Sequence, residues 1–259
     1  MPYRRLPNTD ASRIRALETA LKKGGEVSDI HAIAYPFTLK QQVDMFLLRF
    51  KTAIENSKNA RERQAKASKT LAGYTHKTRL YISHFIQVLN FTITRGELKP
   101  SARTFYGFDE NDSKVPSLLT DLEVYTWGEN IIRGEQERIK QQGGNPIYSP
   151  AISIVKVTYE TFKEAYETQK QLQENSARFS NEVAQFRAKA DALITNVWDE
   201  VEKFFSNVED EEKRRSNCEE YGLTYIFRRS ETEKLKAIKA LNNKTRAKDN
   251  EMPELPFEE

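Results

Sequence analysis

From Leu39 to Leu71, mostly apolar or small residues recur at alternating steps of four and three: Leu39, Val43, Phe46, Phe50, Ala53, Ser57, Ala60, Gln64, Ala67 and Leu71. Such steps hold one stripe of a helix to one side, so the segment must lie against a partner helix, crossing it at about 20°. A second stripe runs Ala151, Val155, Thr158, Phe162, Ala165, Gln169, Leu172, Ser176, Phe179 and Val183, then on through Phe186, Ala190, Leu193 and Val197. Each of its first ten members stands 112 positions after its counterpart, as Ala151 does after Leu39. Register alone could align two such helices, but Phe50-Lys51, Ala53, Glu55 and Lys58 also recur as Phe162-Lys163, Ala165, Glu167 and Lys170. Ile82 likewise maps to Ile194. The expectation is an all-α chain of long antiparallel helices, in an up-down bundle or coiled-coil arrangement, built from a tandem duplication whose period is about 112 residues.

Composition agrees, because 31% charged residues with only 10 Gly and 9 Pro in 259 residues suit long solvated helices better than sheets with many turns. Three regions follow: an N-terminal arm and short helix (1–37), the helical body (38–229) and a charged tail (230–259). The body divides into a first unit (38–96), a connecting loop and helix (97–148) and a second unit (149–229). The short helix is expected over about Asp10 to Lys23, ended by Gly24-Gly25. Thr38 and Gln41 read as a capping box for the first long helix. The long helices either fold back near Gly73 and Phe179 or run straight. Thr120 and Glu123 cap a connecting helix whose inward face includes Leu122, Tyr125 and Ile132, and whose Gly128 and Gly134 suggest close approach of another backbone. Ser149 with Pro150 at the first helical position opens the second long helix. Leu223 to Phe227 can add a short extended segment, and a helix around Leu235 to Leu241 is expected in the tail.

Four segments carry a resemblance: HFIQVLNFTITRGELKPSARTFYG from His84, GGNPIYSP from Gly143, WDEVEKFF from Trp198 and YGLTYIFRRSE from Tyr221. They resemble an all-helical bacterial protein family of unknown function. The resemblance implies one shared architecture over most of the chain and no activity.

No residue constellation commits to a chemistry. None of His31, His76 and His84 has Glu three positions before it, which disfavours a di-iron bundle. His84, among Ile82, Phe85 and Ile86, reads as a packing residue. Cys218 is the sole cysteine and has Glu219 and Glu220 beside it, so neither a disulfide, a zinc site nor a reactive thiol is expected. Glycine loops for nucleotides and a GxSxG elbow are absent, so no cofactor is expected. Carboxylates such as Glu129 and Glu135 read as solvated faces or ion pairs. Without a signal sequence or a membrane-spanning run, the chain reads as cytoplasmic.

One charge cluster stands out. From Lys58 to Arg79 seven basic residues oppose Glu62, a net of +6, whereas Asp199 to Glu220 holds nine acidic and four basic residues, a net of −5. Lys58, Arg61, Arg63, Lys66 and Lys69 are therefore the candidate surface for a polyanion or a protein partner. Arg103, Tyr106 and Trp127 are the candidate lining of a pocket. The resulting expectation is a non-enzymatic helical scaffold or protein-interaction protein that contacts another protein or a second copy. The alternative is a nucleic-acid-associated protein using the basic face from Lys58 to Arg79.

Overall fold

The computed structural model describes residues 3–27, 29 and 32–228, so the tail from 230, its expected helix around Leu235 to Leu241, and His31 lie outside the described residues. Among the described residues there are five α-helices: α1 (Asp10–Glu26), α2 (Phe37–Thr94), α3 (Asp121–Gln142), α4 (Ile152–Phe204) and α5 (Glu211–Glu219). Tight 3-10 turns occupy Pro100–Tyr106 and Phe205–Asn207. The extended segment near Leu223 becomes β2 (Tyr225–Ile226), which pairs antiparallel with β1 (Tyr3–Arg4), Tyr3 opposite Ile226. No described helix is long and apolar enough to cross a membrane.

Every member of both heptad stripes is buried or half-buried, as the spacing requires. Helices α2 and α4 run uninterrupted through Gly73 and Phe179, so neither folds back on itself. Gly73 is exposed with open space where a side chain would go, so its cost is one of helix propensity alone.

The described residues form two compact units, those within 1–54 and 182–228, and those within 55–181. Each takes part of α2 and part of α4, paired in antiparallel order. In the first, α1 starts at a reciprocal cap in which the Ser12 amide donates to Thr9 Oγ1 (3.1 Å) and the Thr9 amide donates to Ser12 Oγ (3.0 Å). Its buried face, Leu17 and Ala20 above all, packs with Val43, Leu47, Ile194, Val197, Trp198 and Val201, and with Cys218, Tyr221 and Leu223 from α5 onward. Next to this core Phe50 stacks on Phe46, with ring centroids 5.6 Å apart, and on Phe186, with centroids 6.2 Å apart. Charged pairs fasten its edges: Arg13 to Asp191 and Arg187 to Asp10, both at 2.7 Å.

Helix α1 does not stop at Gly24-Gly25 but continues to Glu26. Gly24 is there for room, since a Cβ on it would come within 2.7 Å of the Tyr35 hydroxyl, which donates to the Ala20 carbonyl. The first turn of α2 is likewise organised by the Pro36 carbonyl, which accepts from the amides of Leu39 and Lys40, rather than by a Thr38–Gln41 box. Ser149 and Pro150 precede α4 in a turn, with a cis Ser149–Pro150 peptide, and the helix opens at Ile152 instead of at Pro150.

In the second unit, α3 is capped reciprocally by Thr120 and Glu123 as its sequence requires. Its hydrophobic core joins Leu71, Ile82, Phe85, Ile86 and Leu89 of α2 to Val124 and Ile131 of α3 and to Val155, Tyr159 and Phe162 of α4. The inward stripe of α3 is Val124, Gly128, Ile131, Glu135 and Arg138, whereas Leu122 is 61% exposed and Tyr125 and Ile132 are half-buried. The two glycines differ in kind. A Cβ on Gly134 would meet backbone, 2.6 Å from the Phe105 carbonyl oxygen and 2.9 Å from Tyr106 Cα, while one on Gly128 would strike the Tyr159 ring and the Ile82 side chain.

The contrast between Gly73 and Gly134 predicts opposite outcomes for the same substitution. Gly73→Ala is expected to raise stability by about 1 kcal/mol through helix propensity. Gly134→Ala is expected to lose about 1–3 kcal/mol, because a backbone carbonyl cannot swing aside as a side chain can. Urea denaturation followed by circular dichroism compares them, and an equal gain from both would refute the close approach at Gly134.

Candidate functional site

Lys58, Arg61, Arg63, Lys66 and Lys69 are all exposed on α2. At about 100° per residue, Lys58, Lys66 and Lys69 lie on the side opposite the buried positions Ser57, Ala60 and Leu71, whereas Arg61 and Arg63 flank the buried stripe at its two edges. The structure therefore brings the three lysines onto one outward face and leaves the two arginines at its edges, toward α4. Arg61 donates to Ser180 Oγ at 3.1 Å. Arg63 borders a cleft of about 230 Å³ that also takes Asn56, Asn59, Asn175 and Arg178, with the Arg178 guanidinium lying over the Phe179 ring. The acidic stretch is engaged within its own unit: Arg4 reaches Asp199 and Glu202, Lys23 reaches Glu220 and Arg215 reaches Glu211, while Asp210 caps α5.

The three candidate pocket residues each have their own contacts. Arg103 donates to Asn90 Oδ1 and to the Glu110 carbonyl, fixing the loop after α2. Trp127 stacks flat on Phe108, with centroids 4.7 Å apart. Tyr106 is fully buried and turns its hydroxyl onto Glu135. His84 is exposed rather than packed, because α2 presents Ile82, Phe85 and Ile86 inward and leaves position 84 facing out.

The electrostatic centre of this unit is the buried trio Tyr106, Glu135 and Arg138. Arg138 forks onto Glu135 through Nε (2.8 Å) and Nη2 (2.9 Å), and Nη2 also donates to the Asn145 carbonyl (3.0 Å). The Ile147 amide donates to Glu135 Oε1 at 3.0 Å. Burial pushes the Glu135 carboxyl up, but the Arg138, Tyr106 and Ile147 hydrogen bonds outweigh it and hold the group below the usual range. Arg138 is held above its ordinary value, first by the bond to Glu135 against the opposing effect of burial. Burial, then the bond to Glu135, pushes the Tyr106 phenol well up.

In the sequence, Glu135 reads as a surface or ion-pair carboxylate and Arg138 does not stand out. The signal is nonetheless present, since 124, 128, 131, 135 and 138 form an unbroken stripe of fours and threes that carries both charges inward. Cys218 is buried, and burial pushes its thiol pKa up, away from reactivity. Among the described residues no three of His, Cys, Asp and Glu come together as they would for a metal ion. No protein-family model, curated protein or solved structure matches this chain.

Proposed function

We propose that the protein is a non-enzymatic helical scaffold of the cytoplasm that binds an acidic protein surface through the outward basic face of α2. The observation that carries this reading is the exposure of all five cations, none in an ion pair among the described residues, while Asp199, Glu202, Glu211 and Glu220 of the acidic stretch have cationic partners within their own unit. Unpaired surface charge steers association with an oppositely charged partner and weakens with salt. The reading predicts that a fluorescent peptide of alternating glutamate and leucine binds at about 50 mM salt and is released at about 300 mM. Lys58→Glu with Lys66→Glu and Lys69→Glu should abolish that anisotropy signal with unchanged helicity. An unaltered signal in the triple variant would sink the assignment.

A second reading has its own support. Arg63 and Arg178 flank one cleft, an arrangement that suits phosphate oxygens and favours a nucleic-acid partner for Lys58 to Arg79. Retention of a duplex of equal charge in preference to the peptide, with a steep loss on adding salt, would select it.

We also infer the tandem duplication, now on packing. The reciprocally capped threonines Thr9 and Thr120 stand 111 positions apart, and buried Leu17, Ala20 and Gly24 correspond at that spacing to Gly128, Ile131 and Glu135, also buried. On the long helices, Leu71, Thr78, Ile82, Phe85, Ile86 and Leu89 correspond at a spacing of 112 to Val183, Ala190, Ile194, Val197, Trp198 and Val201, and all twelve are buried. Each repeat closes on a buried tyrosine followed by a left-handed glycine: Tyr106-Gly107 with φ 83° and Tyr221-Gly222 with φ 88°.

A further inference from the structure

Within the second unit a cavity of about 770 Å³ is walled by the last turns of α2 and by the 144–149 segment ahead of α4. Its apolar surface comes from Val88, Phe91, Leu98, Pro146 and Ile147, and Tyr148 stands at the rim, 77% exposed. That size lies within the usual range for small-molecule sites, roughly 300–1,000 Å³. Arg138, itself without exposed surface, also forms part of the wall.

The guanidinium is only partly used. Nε and one side of Nη2 are taken by Glu135, and the outer Nη2 hydrogen by the Asn145 carbonyl. Nη1 is buried and meets no acceptor among the described residues. A planar guanidinium puts the outer hydrogens of Nη1 and Nη2 side by side on its terminal edge, so the free donor lies next to the Asn145 bond, and Asn145 is itself a wall residue. A buried donor left unpaired is destabilising, and an acceptor arriving with a ligand would satisfy it.

We infer that this cavity binds a small organic monocarboxylate with an aromatic or branched apolar body, its carboxylate accepting from Arg138 Nη1. Of the charged wall residues, Arg138 is already paired by Glu135 behind the wall, so what is left for an anionic head is the charge-assisted Nη1 donor and not a surplus of charge. Arg95 and Glu97 already pair at 3.0 Å on the exposed rim. One free donor edge and five apolar wall residues match a carboxylate on a hydrophobic body better than a multiply charged phosphate. The site is independent of the basic face of α2.

Benzoate is the probe and benzyl alcohol its uncharged control, titrated into the full-length protein and followed by protein–ligand nuclear Overhauser contacts and calorimetry. The expected result is saturable benzoate binding with contacts to Val88 and Ile147 methyls, about tenfold tighter than benzyl alcohol, as one charge-assisted hydrogen bond implies. An Arg138 variant would disturb the fold, so the blocking variant is Thr92→Trp, a half-buried wall position outside the Arg138 trio. It should weaken benzoate at least about tenfold while leaving the melting curve in place, since the lost contacts equal the same hydrogen bond and part of the apolar wall. No saturation up to about 10 mM, equal binding of both probes, or undiminished binding to Thr92→Trp would each overturn the assignment.

Discussion

Glu135→Ala is expected to cost about 3–5 kcal/mol and to lower the melting temperature by roughly 6–20 °C, measured by calorimetry. The size follows from what is left behind. Arg138 has no exposed surface and a guanidinium keeps its proton in a protein, so it stays charged and buried without its counter-ion, and the Ile147 amide loses its acceptor as well. The paired substitution Glu135→Leu with Arg138→Met removes both charges together and should recover most of the loss, because replacing a buried ion pair by apolar side chains is often near neutral. A double variant no better than the single one would mean that the ion pair itself, and not the orphaned charge, sets the cost.

The same pair fixes a pH dependence. The Glu135 carboxyl titrates lower in the folded protein than the ordinary glutamate value of about 4.3. Its stabilising contribution is therefore complete above that value and is lost as pH falls through the lower folded value. Glu135→Gln should flatten this part of the acid limb while lowering stability at neutral pH.

The second large effect concerns the repeat. A fragment ending at Pro116 carries α1, α2 and the turn that closes on Tyr106, and it is expected to fold only as a dimer. The core around α1 draws on Ile194, Val197 and Val201 of α4, which the fragment lacks. Under the proposed duplication, Ile82, Phe85 and Leu89 of a second fragment stand 112 positions before these residues and would take their place. Without that exchange α2 would be a long helix with its stripe wetted, and such helices draw their stability from packing rather than propensity. Light scattering should give about twice the chain mass, with helicity that falls on dilution as mass action requires. A helical monomer that holds its helicity on dilution would refute the repeat as the packing unit.

The all-helical fold was legible because it rests on periodicity, which survives in a single sequence: both stripes, the Thr120 cap and the short strand near Leu223 could be read directly. What could not be read depended on contacts distant in the chain. Gly24 looked like a stop signal because its reason, the Tyr35 hydroxyl, lies eleven positions on. The sequence turns α3 inward at Leu122, Tyr125 and Ile132, off its buried face, because Glu135 and Arg138 look like surface residues until each is seen to supply the other's counter-ion. The basic face was legible from charge counting alone, since exposed cations need no partner to reveal them. The carboxylate cavity was not, as its walls come from helix and loop segments more than 40 positions apart, from Val88 to Ser149.

The two-rung ladder between Tyr3 and Ile226 has a topological consequence. It sets the first and last strands of the described chain side by side, so a short covalent bridge between them would close the backbone into a ring. Opening that ring in the irregular stretch 109–119 would leave each hydrophobic core with its helices intact and only their order along the chain rearranged. The architecture therefore depends on which stripes meet, and little on which helix the chain reaches first.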